Sequence, residues 1–424
     1  MPFKTSYSQH EKLYSNMKKE LIIPSLGIVA AVFFSACSKN EVVSIADAPQ
    51  KISFSPLTGK LSTKAMLDGT NYKATDPSFG TFAYYLPADR NADGTEYNWN
   101  ANHSMATLYI QKSEVKNNGL STGFAWTTDK PYYWPKSGGL TFFAYSPFNY
   151  QETAGGEIPI TMTGTGLIIG DHSSNYDVDA HQETDLLVAD VQKDVHGNNV
   201  TESGYNGVPV IFHHKLSQIT KLSFSTVDKN GKAKDYANGH NGTEGKKYQA
   251  GDVVFELVKV SLNNLATKGI YSYDAQTNIT EGWITNANDG VKDYIWYDMT
   301  SGTPEQFGAT PLSFDFNDKY TANTNDYLLV LPQVLQNSAG SQQQSTTPRF
   351  KIQYRVKTYT DADNFSTEIV DATINLHALH GSSTESLEMN KRISYSFNVC
   401  LEDQQIYWAP SIVDWVNQDF VKQF

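Results

Sequence analysis

The chain has 424 residues, of which 12% are aromatic and 18% charged, and a formal net charge of −12 at neutral pH. That balance argues against nucleic acid or anionic lipid as a partner, because neither would be drawn to a net-negative surface. Two cysteines cannot build a disulfide framework, and the abundance of Tyr, Phe, Gly, Asn, Ser and Thr is that of short strands joined by turns.

The first sixteen residues are polar, which makes Met17 a candidate start. Met17-Lys18-Lys19 then precedes an apolar run from Leu21 to Ala36 that is interrupted by Pro24, Ser25 and Gly27. It fits a spanning helix of about 20 residues poorly. A short basic region, an apolar core and small residues at its end are the order of a secretory signal. Ser35-Ala36-Cys37 resembles the bacterial lipobox, with Phe34 where leucine is usual. The resemblance makes residues 1–36 a lipoprotein signal peptide, Cys37 the lipidated residue and residues 37–50 a linker to the anchor. Acyl chains contribute about 0.8 kcal/mol of membrane attachment per buried methylene. Everything after Cys37 is expected outside the cytoplasm, tethered to the outer membrane, and with Cys37 acylated only Cys400 remains as a thiol.

Strand signals dominate from there. "KISFS" (51–55) places Ile52 and Phe54 on one face and Lys51, Ser53 and Ser55 on the other. "SFGTFAYY" (78–85), "LTFFAYSP" (140–147) and "TDLLVAD" (184–190) follow. The polar, glycine-rich stretch "HGNNVTESGYNG" (196–207) is the best boundary, dividing an N-terminal domain, 51–203, from a C-terminal one, 204–424. Beyond it come "VPVIFHHKLSQITKLSFST" (208–226), a polar loop at 228–251, "VVFELVKVSL" (253–262), "DYLLVLPQ" (326–333) and a second polar loop at 336–348. "FKIQYRVKT" and "STEIVDATINL" flank the turn-like "DADN" and read as a hairpin. In "KRISYSFNVCL" (391–401), Ile393, Tyr395, Phe397, Val399 and Leu401 form an apolar face, with Cys400 on the polar one. No amphipathic helix of three turns is evident, so the class is all-β, with β-sandwiches as the architecture.

Constellations that could carry chemistry are few. Asp171, His172, Asp177, Asp179 and His181 have ligand-like spacing but lack the glycine and terminal glutamate of an EF-hand, and a solvated loop is the simpler reading. His213 and His214 are strand neighbours that point to opposite faces. Glu183 and Asp185 would share a face of a strand, as many exposed pairs do. Trp99, Trp126 and Trp134 could stack on sugars, though core filling is the commoner use. Gly138-Gly139 reads as a hairpin turn. No G-x-S-x-G, HExxH or P-loop pattern occurs, so no enzyme, metal or cofactor is expected.

Taken in order, the lipobox with "SKNE", then "KISFSP", "LSTKAM", "SFGTFAYY", "YYWPKSGGLTFFAYSP", "ETDLLVAD", "VPVIFHHKLSQITKLSF", "VSLNNLATKGIY", "YLLVLPQ", "KRISYSFNVCL" and "IYWAPSIVDW" resemble the fimbrillin family of Bacteroidales, in particular its minor-fimbrillin-like lipoproteins. The resemblance implies two tandem transthyretin-like β-sandwich domains and a subunit of cell-surface fimbriae, at the shaft, tip or anchor. It implies other fimbrial subunits as partners, with a host or bacterial surface receptor as a further candidate. It also implies assembly by donor-strand exchange, in which a protease removes an N-terminal strand and a strand from another subunit fills the gap. Here the displaced strand would carry Ile52 and Phe54, with cleavage at Lys60 or Lys64. The family protease cuts after arginine, which this loop lacks. The donor would be the C-terminal tail with Trp415, Val416, Phe420, Val421 and Phe424. The alternative is a lipid-anchored glycan-binding protein of a nutrient-uptake system.

Overall fold

The computed structural model describes residues 50–58, 78–119, 126–149, 158–171, 175–182, 185–285, 290–316, 327–335, 347–377, 386–403 and 405–414. The strands of the first half are β1 (Phe54–Thr58), β2 (Phe79–Leu86), β3 (Thr107–Asn117), β4 (Trp126–Thr128), β5 (Gly139–Ser146), β6 (Ile160–Met162), β7 (Gly166–Ile169), β8 (Tyr176–Asp177), β9 (Leu187–Ala189), β10 (Gln192–Val195) and β11 (Val208–His214). A single α-helical turn, Trp99–Asn102, is capped by the Asn98 side chain, which accepts from the Ala101 amide.

Hydrogen bonding orders one sheet as β10-β5-β2-β3-β4-β1-β11-β9, and a further pairing of β9 with β5 closes it into a ring. Inside the ring lies a core of Ile52, Phe54, Phe79, Trp126, Phe142, Val208 and Phe212 among others. Strands β2 and β5 are covered on their other face too. Leu140, Phe142 and Ala144 point into the ring, while Phe143 and Tyr145 join a second core with Phe82, Tyr84 and Trp99. Burial on both sides explains why "LTFFAYS" reads as an unbroken apolar run.

The second half contains β12 (Ser217–Val227), β13 (Val253–Ala266), β14 (Lys268–Asp274), β15 (Thr280–Thr285), β16 (Val291–Asp298), β17 (Glu305–Phe307), β18 (Leu312–Asp315), β19 (Leu328–Val330), β20 (Arg349–Tyr359), β21 (Phe365–Asn375), β22 (Lys391–Cys400) and β23 (Gln405–Asp414). Two sheets, β18-β12-β22-β23 and β16-β13-β20-β21, enclose a core that includes Leu222, Phe224, Phe255, Leu257, Phe350 and Phe397. This is a β-sandwich. The alternation in "KRISYSFNVC" seats Ile393, Tyr395, Phe397 and Val399 in that core at 1–4% exposure. The hairpin expected around "DADN" forms, pairing Arg349 to Tyr359 with Asn375 to Phe365.

Two features depart from the strand pattern. Cys400, expected on a polar face, is fully buried as a free thiol, and Leu401 falls in the following turn. β22 runs between β12 and β23, and at this end Tyr236 lies close, its hydroxyl accepting the Leu401 amide at 3.3 Å. The run 208–226 does not make one strand. It breaks at Lys215-Leu216, and its two arms, β11 and β12, enter different sheets. β11 completes the ring. The β14–β15 hairpin, also beyond residue 204, pairs through β14 with β7 and β8 of the first half, in a sheet ordered β15-β14-β7-β6.

Candidate strand-exchange groove

The short strand carrying Ile52 and Phe54 is an interior member of the ring. Its carboxyl-side half runs parallel to β11, pairing Phe54 with Val208 through Thr58 with Phe212. On its other side only Phe54 pairs with β4, opposite Trp126. Upstream, the Ile52 amide donates to the Tyr132 carbonyl at 2.8 Å, the Trp134 amide to the Gln50 carbonyl at 2.9 Å, and the Val208 amide to the Ser53 carbonyl at 2.8 Å. The segment 50–58 is therefore tied along one side to β11, and on the other to β4 at Phe54 and to residues 132–134 at Gln50 to Ile52.

Alternation sets what faces inward. Ile52 and Phe54 are 2% and 1% exposed, and Pro56 is buried on the same side. The Phe54 ring meets Phe79 and Phe142 edge-on, each at 5.9 Å between centroids. Burying each such side chain contributes about 1.5–3 kcal/mol. Beside Gln50 to Ser53, where β4 does not pair, an open groove of about 580 Å³ is walled by Asn118, Thr127, Thr128 and Asp129. Taking this segment away would open the ring between β4 and β11. The gap would expose unpaired backbone on β11 above a floor of Phe79, Phe142 and Phe212.

Cys37, Lys60 and Lys64 lie outside the described residues, as do Trp415, Val416, Phe420, Val421 and Phe424. Immediately before that tail, β23 is an edge strand joined to β22 from Cys400–Gln405 to Lys391–Asp414. Most of it faces solvent: Trp408 is 39% exposed and Val413 53%. The unbroken run Ile406 to Pro410 carries no alternation of apolar with polar residues, which hid this strand from sequence reasoning.

The remaining candidates have structural places. Trp99, Trp126 and Trp134 are at most 5% exposed and fill cores, so none offers a platform to a sugar. Asp177 caps the following turn by accepting the Asp179 amide, and Asp179 in turn accepts from Lys292 Nζ at 2.6 Å and from the Tyr294 hydroxyl at 3.2 Å. Burial, and secondly that carboxylate, push the Tyr294 phenol well above its ordinary value. His181 stacks on Tyr176, and His172 and Glu183 lie outside the described residues. His213 pairs with Asp190 and His214 with Asp185, two carboxylates on opposite sides of the strand. The His214 side chain is 2% exposed, so no substrate reaches that pair. Among the described residues, no three or more His, Cys, Asp and Glu side chains converge as metal ligands would.

The fimbrillin-like family model matches residues 95–415. The fimbrium subunit Fim1C of Phocaeicola vulgatus is 22% identical over 365 residues, covering 83% of this chain and 86% of that protein. The crystal structure of a fimbrial protein from Bacteroides vulgatus superposes with a TM-score of 0.52 at 16% identity, covering 87% of this chain and all of that one.

Proposed function

The chain belongs to the fimbrillin-like family, and from that membership we propose that it is a structural or adhesive subunit of cell-surface fimbriae that joins its neighbours by donor-strand exchange. Export would proceed as a lipoprotein through Cys37, holding the subunit at the outer membrane. Cleavage between β1 and β2, with Lys60 and Lys64 as candidate sites, would then free the segment bearing Ile52 and Phe54. A strand from a neighbouring subunit would enter the vacated seat, pair with β11 and β4, and press alternate side chains onto Phe79 and Phe142. The role needs no catalysis.

The observation that carries this reading is the position of the segment 50–58. It is a core-filling member of the ring, with Phe54 at 1% exposure, and one stretch of sequence, residues 59–77, separates it from β2. A cut there would free the segment together with the proposed anchor at Cys37 and leave the rest of the chain whole. The test is N-terminal sequencing and intact mass of the subunit taken from surface fibres. A chain beginning after Lys60 or Lys64 is expected. A fibre-borne chain that still carries residues 51–58 would exclude strand removal, and immunogold label absent from fibres would exclude the fimbrial role.

A further inference from the structure

We propose that β21 is a side-to-side docking edge, and that its occupant is β21 of a second copy of this chain in a neighbouring fibre. The inference rests on the fimbrial reading above and adds a contact between fibres to the one along them.

The free edge of β21 is unguarded. Phe365 to Asn375 runs against β20 with no register shift, and among the described residues no strand lies on its other side. Edge strands are commonly protected by lysine, proline or a bulge. "FSTEIVDATIN" has no lysine and no proline, and its only charges are Glu368 and Asp371. Its apolar side chains stand in water: Ile369 is 58% exposed and Phe365 44%. β23, an edge of similar length, is guarded by Pro410.

The hydrogen bonds of β20 fix which residues address that edge. The Tyr359 amide donates to the Asp252 carbonyl and the Gly251 amide to the Tyr359 carbonyl, each at 2.9 Å. Tyr359 thus turns its backbone away from Phe365, which stands opposite it. Bonded and non-bonded pairs alternate along an antiparallel ladder. Phe365, Thr367, Ile369, Asp371 and Thr373 therefore aim their N–H and C=O groups at the free edge. Their side chains share the outer face of the sheet, because Val370, Ala372 and Ile374 pack on the core.

A second copy completes this edge with a two-fold axis at Ile369. Antiparallel pairing then sets Ile369 against the partner's Ile369, Thr367 against the partner's Asp371 and Phe365 against the partner's Thr373. Every one of these positions offers a donor and an acceptor to the seam. Glu368 meets the partner's Val370, so no like charges are opposed, and the Thr367 hydroxyl can donate to the partner's Asp371 carboxylate. An axis at Glu368 would set that carboxylate on itself, and one at Val370 would set Ile369 against Asp371. The contact is isologous, using the same edge on both copies. A lone two-stranded seam is marginal in water, so free subunits stay apart. Along two aligned fibres the seam repeats, and linked contacts multiply one another.

The test uses fibres from cells expressing the full chain or its variants, viewed by electron microscopy. Wild-type fibres should lie side by side. Ile369→Lys should lower the side-by-side fraction roughly tenfold or more, with fibres still formed and subunit melting close to wild type, because Ile369 is already exposed. Ile369→Cys should, on mild oxidation, join two copies of this chain through residue 369. Directly opposed, bonded residues stand about 5.5 Å apart at Cα, within reach of a disulfide. Thr367→Cys should not, since it faces Asp371. Wild-type fibres that lie singly, full side-by-side association of Ile369→Lys, or a residue-369 disulfide to a different protein would overturn the β21 contact while leaving the fimbrial reading standing. Absence of fibres in every arm, wild type included, would overturn both.

Discussion

Phe54 concentrates the hold of the ring on its first strand. Its ring lies between Phe79 and Phe142 at 1% exposure, so truncation leaves a cavity that neighbouring aromatics cannot collapse to fill. Phe54→Ala should cost about 3–5 kcal/mol in urea unfolding of the uncut chain. Asp252 shows how a single carboxylate couples the fold to pH. It is 2% exposed and accepts from the Gln249 amide at 2.7 Å, Asn238 Nδ2 at 3.0 Å and His240 Nδ1 at 2.8 Å. Burial raises its pKa, but the Gln249, Asn238 and His240 donors more than offset that, and it titrates below the ordinary carboxylate value. A carboxylate depressed in the folded state stabilises above the unfolded value near 3.9, and the contribution is lost as pH falls through the folded one. Asp252→Asn should therefore destabilise by about 1–3 kcal/mol at pH 7. The gap to wild type should narrow in urea melts below pH 4.

At the level of elements, alternation and neighbours decide what a sequence reveals. β22 and the β20–β21 hairpin were legible because a half-buried strand writes its pattern in adjacent residues and a tight turn writes its own. The parallel pairing of β1 with β11 was not, since it joins Phe54 to Val208 with no local signal of either partner. The inward face of Ile52 and Phe54 was readable from "KISFS", whereas the ring they complete was not. The break at Lys215-Leu216 was hidden by apolar residues continuing across it. Cys400 was misplaced because alternation cannot register a distant turn residue, Tyr236, coming close at that end of the strand. Glu256 on β13, 5% exposed, accepts from Arg355 Nη1 at 3.1 Å and Lys357 Nζ at 2.6 Å on β20. Glu256→Ala leaves two cations facing each other and should cost about 2–4 kcal/mol, less than the 3–5 of a fully buried pair because both cations keep some water. Chemical denaturation checks the value, and Glu256→Gln should recover part of it.

For the molecule as a whole, the mixing of halves matters most. β11 and β12 follow one another across the break at Lys215, and β13 and β14 across Thr267, so two lengths of chain each enter sheets of both halves. Around the break, Lys215 Nζ bonds Glu281 Oε2 at 2.7 Å, the Tyr271 hydroxyl bonds the same oxygen at 2.5 Å, and Trp283 Nε1 donates to the Lys215 carbonyl at 2.6 Å. Trp283 also packs on Tyr176 and Tyr271. The uncut chain should unfold in one calorimetric transition. Trp283→Ala should lower its stability by about 3 kcal/mol, the lower end for tryptophan because the ring is only partly buried, and should split the transition into two.

The closure of β9 onto β5 has a consequence in time. A ring in which β1 is still seated presents no vacancy between β4 and β11, so concentration alone cannot start a chain reaction among subunits. The uncut protein should remain monomeric in sedimentation runs at concentrations where the cut one associates. Growth would then be metered by the protease rather than by supply: each cut creates one vacancy, each vacancy is consumed once, and a fibre lengthens at the pace of its slowest scission.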